Sequence, residues 1–189
     1  MSYKTPLSST TEYGIVKVGT GISVTDGVIS GSTGLLNYGF FTDTTTQTNP
    51  VANAINIATL NTTGPANGVS IVGGTDITVV DAGTYTKLFT LIISKTAGGT
   101  TAASIWLQQS PPGGPFVDVP GSRQDLDLTN TLTLTFTSGN YTLNLPAGGA
   151  IRLCWSSADT TMAISALPAA VTPTRPAGDC LKITLTRIS

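Results

Sequence analysis

The most informative absence from this 189-residue sequence is histidine, which does not occur at all. Without an imidazole, a Ser-His-Asp triad, a histidine general base and a zinc site with histidine ligands are excluded. Charge is scarce too, because Lys, Arg, Asp and Glu make up 10% of the residues, where an ordinary domain has about 25%. The net charge is −1, so no basic surface is expected to bind nucleic acid.

Cysteines are few, and long apolar runs are absent. Cys154 and Cys180 are too few and too far apart for a disulfide framework or a CxxC metal clip. We expect both to be buried and reduced, and a single disulfide between them is the alternative. No apolar run approaches the ~20 residues of a membrane-spanning helix, and the first residues lack the features of a signal peptide. The sequence therefore predicts a soluble protein, made in a cytoplasm, with no membrane partner and no cofactor.

Residues that favour β-strands are abundant instead. Threonine makes up nearly a fifth of the chain, and 40% of the residues are hydrophobic. Apolar and polar residues alternate in short runs that Gly, Pro, Asn or Asp separate, which is typical of strands. The runs cover residues 38–42, 54–60, 69–72, 77–80, 84–94, 104–108, 151–156, 162–167 and 181–188. With no helical segment between them, they predict an all-β fold, an antiparallel jelly-roll sandwich.

The clearest alternation lies late in the chain. Apolar residues occupy every second position from Leu132 to Thr137, and the alternation resumes from Tyr141 to Leu145. Between the two runs stand Ser138-Gly139-Asn140, which are typical turn residues. This pattern predicts a β-hairpin with its turn at residues 138–140.

The first 34 residues differ from the rest. Residues 1–13 are polar and lack periodicity, residues 14–30 predict a ribbon of very short strands with a turn at Asp26-Gly27, and Gly31 to Gly34 form a flexible joint. We therefore predict an arm, ribbon and joint over residues 1–34 and a jelly-roll domain over residues 35–189. An arm with no core of its own is expected to dock onto a partner through its isolated apolar and aromatic side chains. These candidates are Tyr3, Tyr13, Ile15, Val16 and Val18.

Few residues suggest a chemical site. Asp125 and Asp127, with Asn130 nearby, could bind calcium, but the ligand spacing of an EF-hand is missing, so solvated loop acids are the favoured interpretation. Nothing indicates a desolvated carboxylate pair, and we expect no enzyme and no catalytic residues. Trp106 and Trp155 are expected to fill the core, with sugar stacking as the alternative. The same is expected of other aromatic residues, some of which could be buried only between subunits of a trimer: Tyr38, Phe40, Tyr85, Phe89, Phe136 and Tyr141.

Two stretches resemble known families. The Val-Lys-Val-Gly-x-Gly-Ile pattern within residues 14–30 is similar to segments of structural proteins of tailed phages. The body, through Tyr38-Gly39-Phe40-Phe41, Ile105-Trp106-Leu107 and Trp155-Ser156-Ser157, resembles β domains of marine and cyanobacterial phages. Its Ala82-Gly83-Thr84-Tyr85 turn before a long strand also resembles the tumour-necrosis-factor/C1q-like jelly roll, whose members are usually trimers. These resemblances imply a homotrimeric virion structural protein.

The resulting hypothesis is a trimeric capsid decoration, or cement, protein. It would bind the major capsid protein on the exterior of the virion through residues 1–30 and stabilise the capsid lattice. The alternative is a receptor- or glycan-binding tip of a tail or head fibre, with residues 61–67 and the loop after the Ile-Trp-Leu strand as contacts; a neck adaptor is a third possibility. That loop, a candidate distal tip or packed contact, consists of Pro111, Pro112, Gly113, Gly114 and Pro115.

Overall fold

The computed structural model describes residues 22–25, 28–31 and 36–189. The chain divides into two compact units, Met1–Leu35 and Leu36–Ser189. In the first unit, β1 (Ile22–Thr25) pairs antiparallel with β2 (Val28–Gly31). The register pairs Ile22 with Gly31 and Thr25 with Val28. The predicted turn at Asp26-Gly27, the arm before β1 and the joint after β2 lie outside the described residues.

In the described part of the second unit, every regular element is a β-strand. The strands are β3 (Tyr38–Asp43), β4 (Gln47–Thr48), β5 (Asn56–Ile57), β6 (Thr62–Asn67), β7 (Val69–Val72), β8 (Asp76–Val79), β9 (Gly83–Lys95), β10 (Thr100–Ser110), β11 (Val117–Asp118), β12 (Gln124–Thr129), β13 (Leu132–Leu145), β14 (Ala150–Ser157), β15 (Ala163–Ile164), β16 (Ala170–Val171), β17 (Thr174–Arg175) and β18 (Leu181–Arg187). No helix long and apolar enough to cross a membrane occurs among the described residues.

Two antiparallel sheets form the sandwich. The β9 sheet has the order β4-β15-β9-β18-β3-β6, and β13 also pairs with β9. The β10 sheet has the order β11-β10-β14-β8-β7, with β12 also on β10 and β5 also on β14. A separate pair, β16 with β17, lies outside both sheets. The β9 sheet is completed by β18, which lies between β9 and β3 although it is the last strand of the chain.

The core follows from the period-two alternation of the long strands. In β9 every odd-numbered residue from Tyr85 to Lys95 is buried, and most even-numbered residues are partly or well exposed. Strands of the β10 sheet contribute the opposing layer, with Ile105 and Leu107 from β10 and Trp155 from β14. Each fully buried large apolar side chain contributes about 1.5–3 kcal/mol relative to its exposed state. Burial between two sheets therefore fixes which face of each strand points inward.

The hairpin predicted at residues 132–145 is wrong, because this segment is the single strand β13, which pairs with β9 along its length. Gly139 lies opposite Phe89 and supports close packing rather than a turn. A Cβ atom at Gly139 would stand 2.5 Å from the Phe89 ring, so only glycine leaves room for that ring. The apolar alternation changes phase at this point, from even-numbered to odd-numbered residues, and this change resembled a turn.

Residues 61–67, predicted as a loop, mostly form the edge strand β6. The register of β6 against β3 shifts between the pairs Gly39 with Ala66 and Phe41 with Thr63, which marks a bulge at Gly64-Pro65. Proline lacks an N–H donor, and an edge strand with a bulge is where a sheet tolerates it. The runs at 54–60 and 162–167, in contrast, contain only the two-residue strands β5 and β15.

Candidate functional site

The outward surface of the β9 sheet carries large apolar side chains that the domain itself leaves exposed. Tyr38 is 40% exposed, Leu88 47%, Leu134 40% and Phe136 64%. Phe40, on the same strand as Tyr38, is half-buried. We call these five residues the apolar face. Single exposed apolar residues are common on protein surfaces, but several on one side of one sheet indicate a contact surface.

Strand register places these residues on one side of the sheet. Phe40 lies opposite Thr184, and Thr184 lies opposite Leu88, which forms a row across β3, β18 and β9. Phe136 lies opposite Ile92, four residues further along β9. Because side chains two or four residues apart point to the same side of a strand, Leu88 and Phe136 face the same way.

The polar residues between these side chains are mostly neutral. Thr86, Thr90 and Thr184 occupy outward positions on β9 and β18. Lys182 is the outward cation of β18, and its Nζ atom lies 4.0 Å from Oδ2 of Asp179. A surface of this composition, apolar and hydroxyl-bearing with little charge, can contact a copy of itself without electrostatic repulsion.

On the inner side of the same strand, Lys87 is fully buried among apolar residues. Its Nζ atom lies 5.5 Å from the centroid of the Phe89 ring and has no hydrogen-bond partner within the described residues. Burial lowers the pKa of the Lys87 ammonium to about 7, because desolvation disfavours the charged form. Lys87 was not among the residues expected in the core, because a lysine is almost never fully buried unless it is paired.

Lys95, at the end of β9, is buried in a different way. Its Nζ atom donates to the carbonyl oxygens of Gly98, Gly99 and Asn130 and lies 3.7 Å from Oδ2 of Asp159. The ammonium thus connects three loops at one end of the sandwich, and its charge is compensated by carbonyl dipoles and a carboxylate. This arrangement is structural.

The aromatic predictions are confirmed in part. Trp155, Tyr85 and Phe89 are buried in the core, and Tyr141 packs against it. Trp106 is not a core residue, because it is half-buried on the outward side of β10, where it lines a cavity. Tyr38 and Phe136 are also outside the core, for the reason that their positions face away from the β10 sheet.

The acidic residues at 125–130 are engaged in contacts within the protein. Asp125 and Asp127 lie on β12 rather than in a loop, and Oδ1 of Asp125 accepts hydrogen bonds from Ser104 and Arg123. The carbonyl of Asn130 accepts from Lys95. In the described part of the chain, no group of three or more Cys, Asp or Glu residues is arranged to hold a metal ion.

Both cysteines are buried free thiols, as predicted. Cys180 donates to the carbonyl oxygen of Thr45 at 2.9 Å. Burial raises the pKa of the Cys154 thiol to about 11 and that of Cys180 to about 12, so neither is a thiolate at neutral pH. Neither position suits a nucleophile.

The predicted distal loop is exposed and turns tightly. The amide of Gly114 donates to the carbonyl of Pro111 at 3.0 Å, and Gly113 has a φ of 64°, which favours glycine. Beyond the loop, the guanidinium of Arg152 lies 3.9 Å from the centroid of the Phe116 ring and holds the start of β11 against β14. The predicted docking residues lie outside the described part of the chain: Tyr3, Tyr13, Ile15, Val16 and Val18.

No protein-family model matches the sequence, and no curated protein matches it. Solved structures do match. Eiger, a TNF protein from S. frugiperda, has a TM-score of 0.52 and 9% identity, over 82% of this chain and 93% of that chain. The globular domain of the zebrafish complement 1qA protein has a TM-score of 0.50 and 13% identity, over 82% of this chain and 98% of that chain.

These likenesses, with the two antiparallel sheets, show that the chain has a TNF/C1q-like jelly-roll fold. The predicted fold class is therefore confirmed. At such low sequence identity the likeness concerns the fold alone. The resemblance to phage proteins stays a prediction.

Proposed function

We propose that this protein is a virion structural protein, a homotrimeric capsid decoration protein that binds the outer surface of the head and stabilises its lattice. The observation that carries the proposal is the apolar face, where Leu88 and Phe136 project from the β9 sheet into solvent. The TNF/C1q-like fold supports self-association, since its known members are typically trimers. No catalytic role and no cofactor belong to the proposal.

In the proposed trimer the apolar faces of three copies meet around a three-fold axis. A closed ring needs a surface that tolerates its own repetition, and the outward threonines of β9 and β18 provide neutral hydrogen-bonding groups for this. Residues such as Phe136 would then be buried between subunits. Truncation of a dominant residue at the centre of an interface typically costs about 2 kcal/mol or more of binding free energy.

As a decoration protein, each trimer would bridge several copies of the major capsid protein through its three arms. Linked weak contacts add, because a second arm binds at a high effective concentration once the first is bound. Scarcity of charge also suits this role, since many copies packed on one shell do not repel one another. The rival function, a fibre tip, rests on the exposed loop at residues 111–115 and requires far fewer copies per virion.

The oligomeric state provides the first test. Sedimentation equilibrium of the full chain at about 10 µM is expected to give a trimer, and so is a variant that lacks residues 1–34. A monomer in both cases would contradict the proposed subunit contact.

Binding to capsids provides the second test. Full chain and the variant lacking residues 1–34 are each mixed with heads that lack the protein, and the sedimented fraction is measured. We expect only the full chain to co-sediment, at hundreds of copies per head. If the full chain does not bind heads but adsorbs to host cells, the fibre-tip function replaces decoration.

A further inference from the structure

A cavity of about 350 Å³ opens on the outward side of the β10 sheet, on the opposite side of the sandwich from the apolar face. Trp106 forms one wall of it. Ser104 and Ser156, which lie opposite each other on β10 and β14, are among its lining residues. Two small serines beside a large indole leave the space that makes this surface concave. The volume lies within the range of small-molecule sites, roughly 300–1,000 Å³.

The opposite wall is the segment between β11 and β12. Both strands pair with β10, and between them the chain leaves the sheet edge at residues 119–123. Buried Ser122 anchors this segment, because its Oγ accepts from the amide of Leu107 at 3.0 Å and donates to the carbonyl of Val119 at 2.8 Å. The hydroxyl of Tyr141 donates to the carbonyl of Ser122 at 2.9 Å. The wall is therefore held in place before any ligand arrives.

The indole is also fixed. Nε1 of Trp106 donates to Oδ1 of Asp118 at 2.8 Å, and the side-chain amide of Gln108 donates to the same oxygen at 2.9 Å. Within the described residues, Oδ2 of Asp118 has no hydrogen-bond partner. A rigid aromatic plane next to an available carboxylate oxygen offers an apolar surface for C–H groups and an acceptor for hydroxyl groups.

A second polar group flanks the cavity. Oδ1 of Asp125 accepts from Oγ of Ser104 at 2.7 Å and from Nε of Arg123 at 2.8 Å. Nε is only one of five N–H donors of a guanidinium, so four donors of Arg123 remain for other partners. Donors and acceptors thus stand on both sides of the indole.

The charge of the cavity limits its ligand. Hydrogen bonds from Gln108 and Trp106 hold the pKa of Asp118 below its usual value, and the bond from Arg123 does the same for Asp125. Both carboxylates are therefore ionised at neutral pH, but only Asp118 lines the cavity, where Arg123 is its counterpart. A second cation, Arg152, stands beside this group, because its Nε atom donates to Oε1 of Gln108. The charges of the lining residues cancel, so the cavity has no net positive charge to attract phosphates, nucleotides or acidic sugars. The class of ligand that this lining fits best is a neutral ring with several hydroxyl groups.

We propose that this cavity binds a neutral saccharide, with one pyranose ring stacked on Trp106 and its hydroxyls bonded to Asp118, Arg123 and Ser104. The proposal does not depend on capsid decoration, because trimer contact through the β9 sheet leaves the β10 sheet facing outward. The site differs from the two loops expected from sequence to contact glycans.

The test titrates the full chain with neutral disaccharides and follows tryptophan fluorescence and heat. Maltose, cellobiose, lactose and diacetylchitobiose are the neutral probes, and 3′-sialyllactose is the anionic one. Trp155 is buried, so the fluorescence change reports Trp106. We expect saturable binding of at least one neutral probe with a Kd of about 1 mM, as for a single small site, and weaker binding of the anionic one.

Variants assign the binding to this cavity. Trp106→Ala and Asp118→Ala are expected to weaken binding at least about tenfold, whereas Trp106→Phe keeps an aromatic plane and should stay within about threefold. Asp127→Asn is the matched control, since Asp127 lies on β12 two residues beyond Asp125, outside the cavity lining. Absence of saturation with every neutral probe at about 20 mM, stronger binding of sialyllactose, or full binding by Trp106→Ala would each overturn the proposal.

Discussion

The outward surfaces of the two sheets differ although one sandwich presents both. On the β9 sheet, Leu88 and Phe136 are exposed among threonines, and their side chains have no group that could form a hydrogen bond. On the β10 sheet, Trp106, Gln108 and Asp118 are joined by side-chain hydrogen bonds. Burial of the first surface against a partner would lower the free energy through the hydrophobic effect. The side chains of the second surface are already held by hydrogen bonds while they face water. This difference is what the proposed subunit contact on the β9 sheet and the proposed saccharide site on the β10 sheet would require.

The largest effect is expected when negative charge is placed on the apolar face. The double variant Leu88→Asp/Phe136→Asp is expected to raise the trimer dissociation constant more than about 100-fold, because each buried carboxylate would lack a partner. Sedimentation velocity across a concentration series measures this. Val72→Asp on β7 is the matched control, since Val72 is 53% exposed in the β10 sheet. Equal dissociation of both variants would show that the two surfaces do not differ in function.

Lys87 tests the inner side of the strand that carries Leu88. Its pKa falls from 10.5 to about 7 on folding, so between these pH values the unfolded chain holds a proton that the folded chain has released. Stability therefore rises with pH over this window, and the penalty is largest below pH 7.

Lys87→Met should remove that penalty, which is on the order of 5 kcal/mol at about 1.4 kcal/mol per pKa unit. We expect the variant to be more stable than the wild type at pH 6 and the gain to shrink towards pH 10. Urea denaturation at pH 6, 8 and 10 measures the difference. A gain that does not depend on pH would mean that Lys87 is not neutralised in the folded state.

Gly139→Ala tests whether β13 is one continuous strand behind the apolar face. The new Cβ would press against the Phe89 ring, and we expect a loss of about 2 kcal/mol in the free energy of unfolding, typical of overpacking. Gly98→Ala is the control, because no atom lies within 4 Å of a Cβ built there. Gly98→Ala should have little effect. If Gly139→Ala had as little effect as Gly98→Ala, the close contact between residue 139 and Phe89 would be contradicted, and with it the continuous strand.

The smallest effect is expected on the β10 sheet. The pKa of Asp118 is lowered by its hydrogen bonds, so its carboxylate supports the fold above the unfolded-state pKa and stops doing so as pH falls through the folded-state value. Asp118→Asn should lower the melting temperature by less than about 2 °C at pH 7, because an exposed pair contributes little, and by nothing at pH 2. Differential scanning calorimetry at both pH values measures this, and a larger loss at pH 2 would contradict it.

The alternation of apolar residues was enough to predict the all-β fold and the long strands β9, β14 and β18. It failed where one strand changes the side that carries its apolar residues. In β13, Phe136 belongs to the outward series and Leu143 to the inward one, and a local pattern cannot distinguish that change from a turn. Strand β6 was not predicted either, because Gly64 and Pro65 interrupt the local pattern, and only the bulge at the sheet edge accommodates Pro65.

The position of Trp106, in contrast, was available from the sequence. In Ser104-Ile105-Trp106-Leu107-Gln108, strict alternation places Trp106 on the same side as Ser104 and Gln108, opposite to Ile105 and Leu107. The expectation that Trp106 fills the core followed from its hydrophobicity alone, and the register of β10 contradicts it. The same alternation places Lys87 on the side of Tyr85 and Phe89, so register also pointed to its burial, whereas the charge of a lysine argues for an exposed position.

The central place of β18 has a consequence for how the protein reaches its folded state. Leu181–Arg187 fills the gap between β3 and β9, whose residues are far apart in the chain from it and from each other. Until this last strand emerges from the ribosome, both neighbours present unpaired edges, and such edges pair readily with those of other nascent chains. Because these pairings join distant parts of the sequence, closure of the β9 sheet is expected to be slow, on the millisecond-to-second scale of β-sandwiches. During synthesis, aggregation through these edges would therefore compete with closure of the sheet.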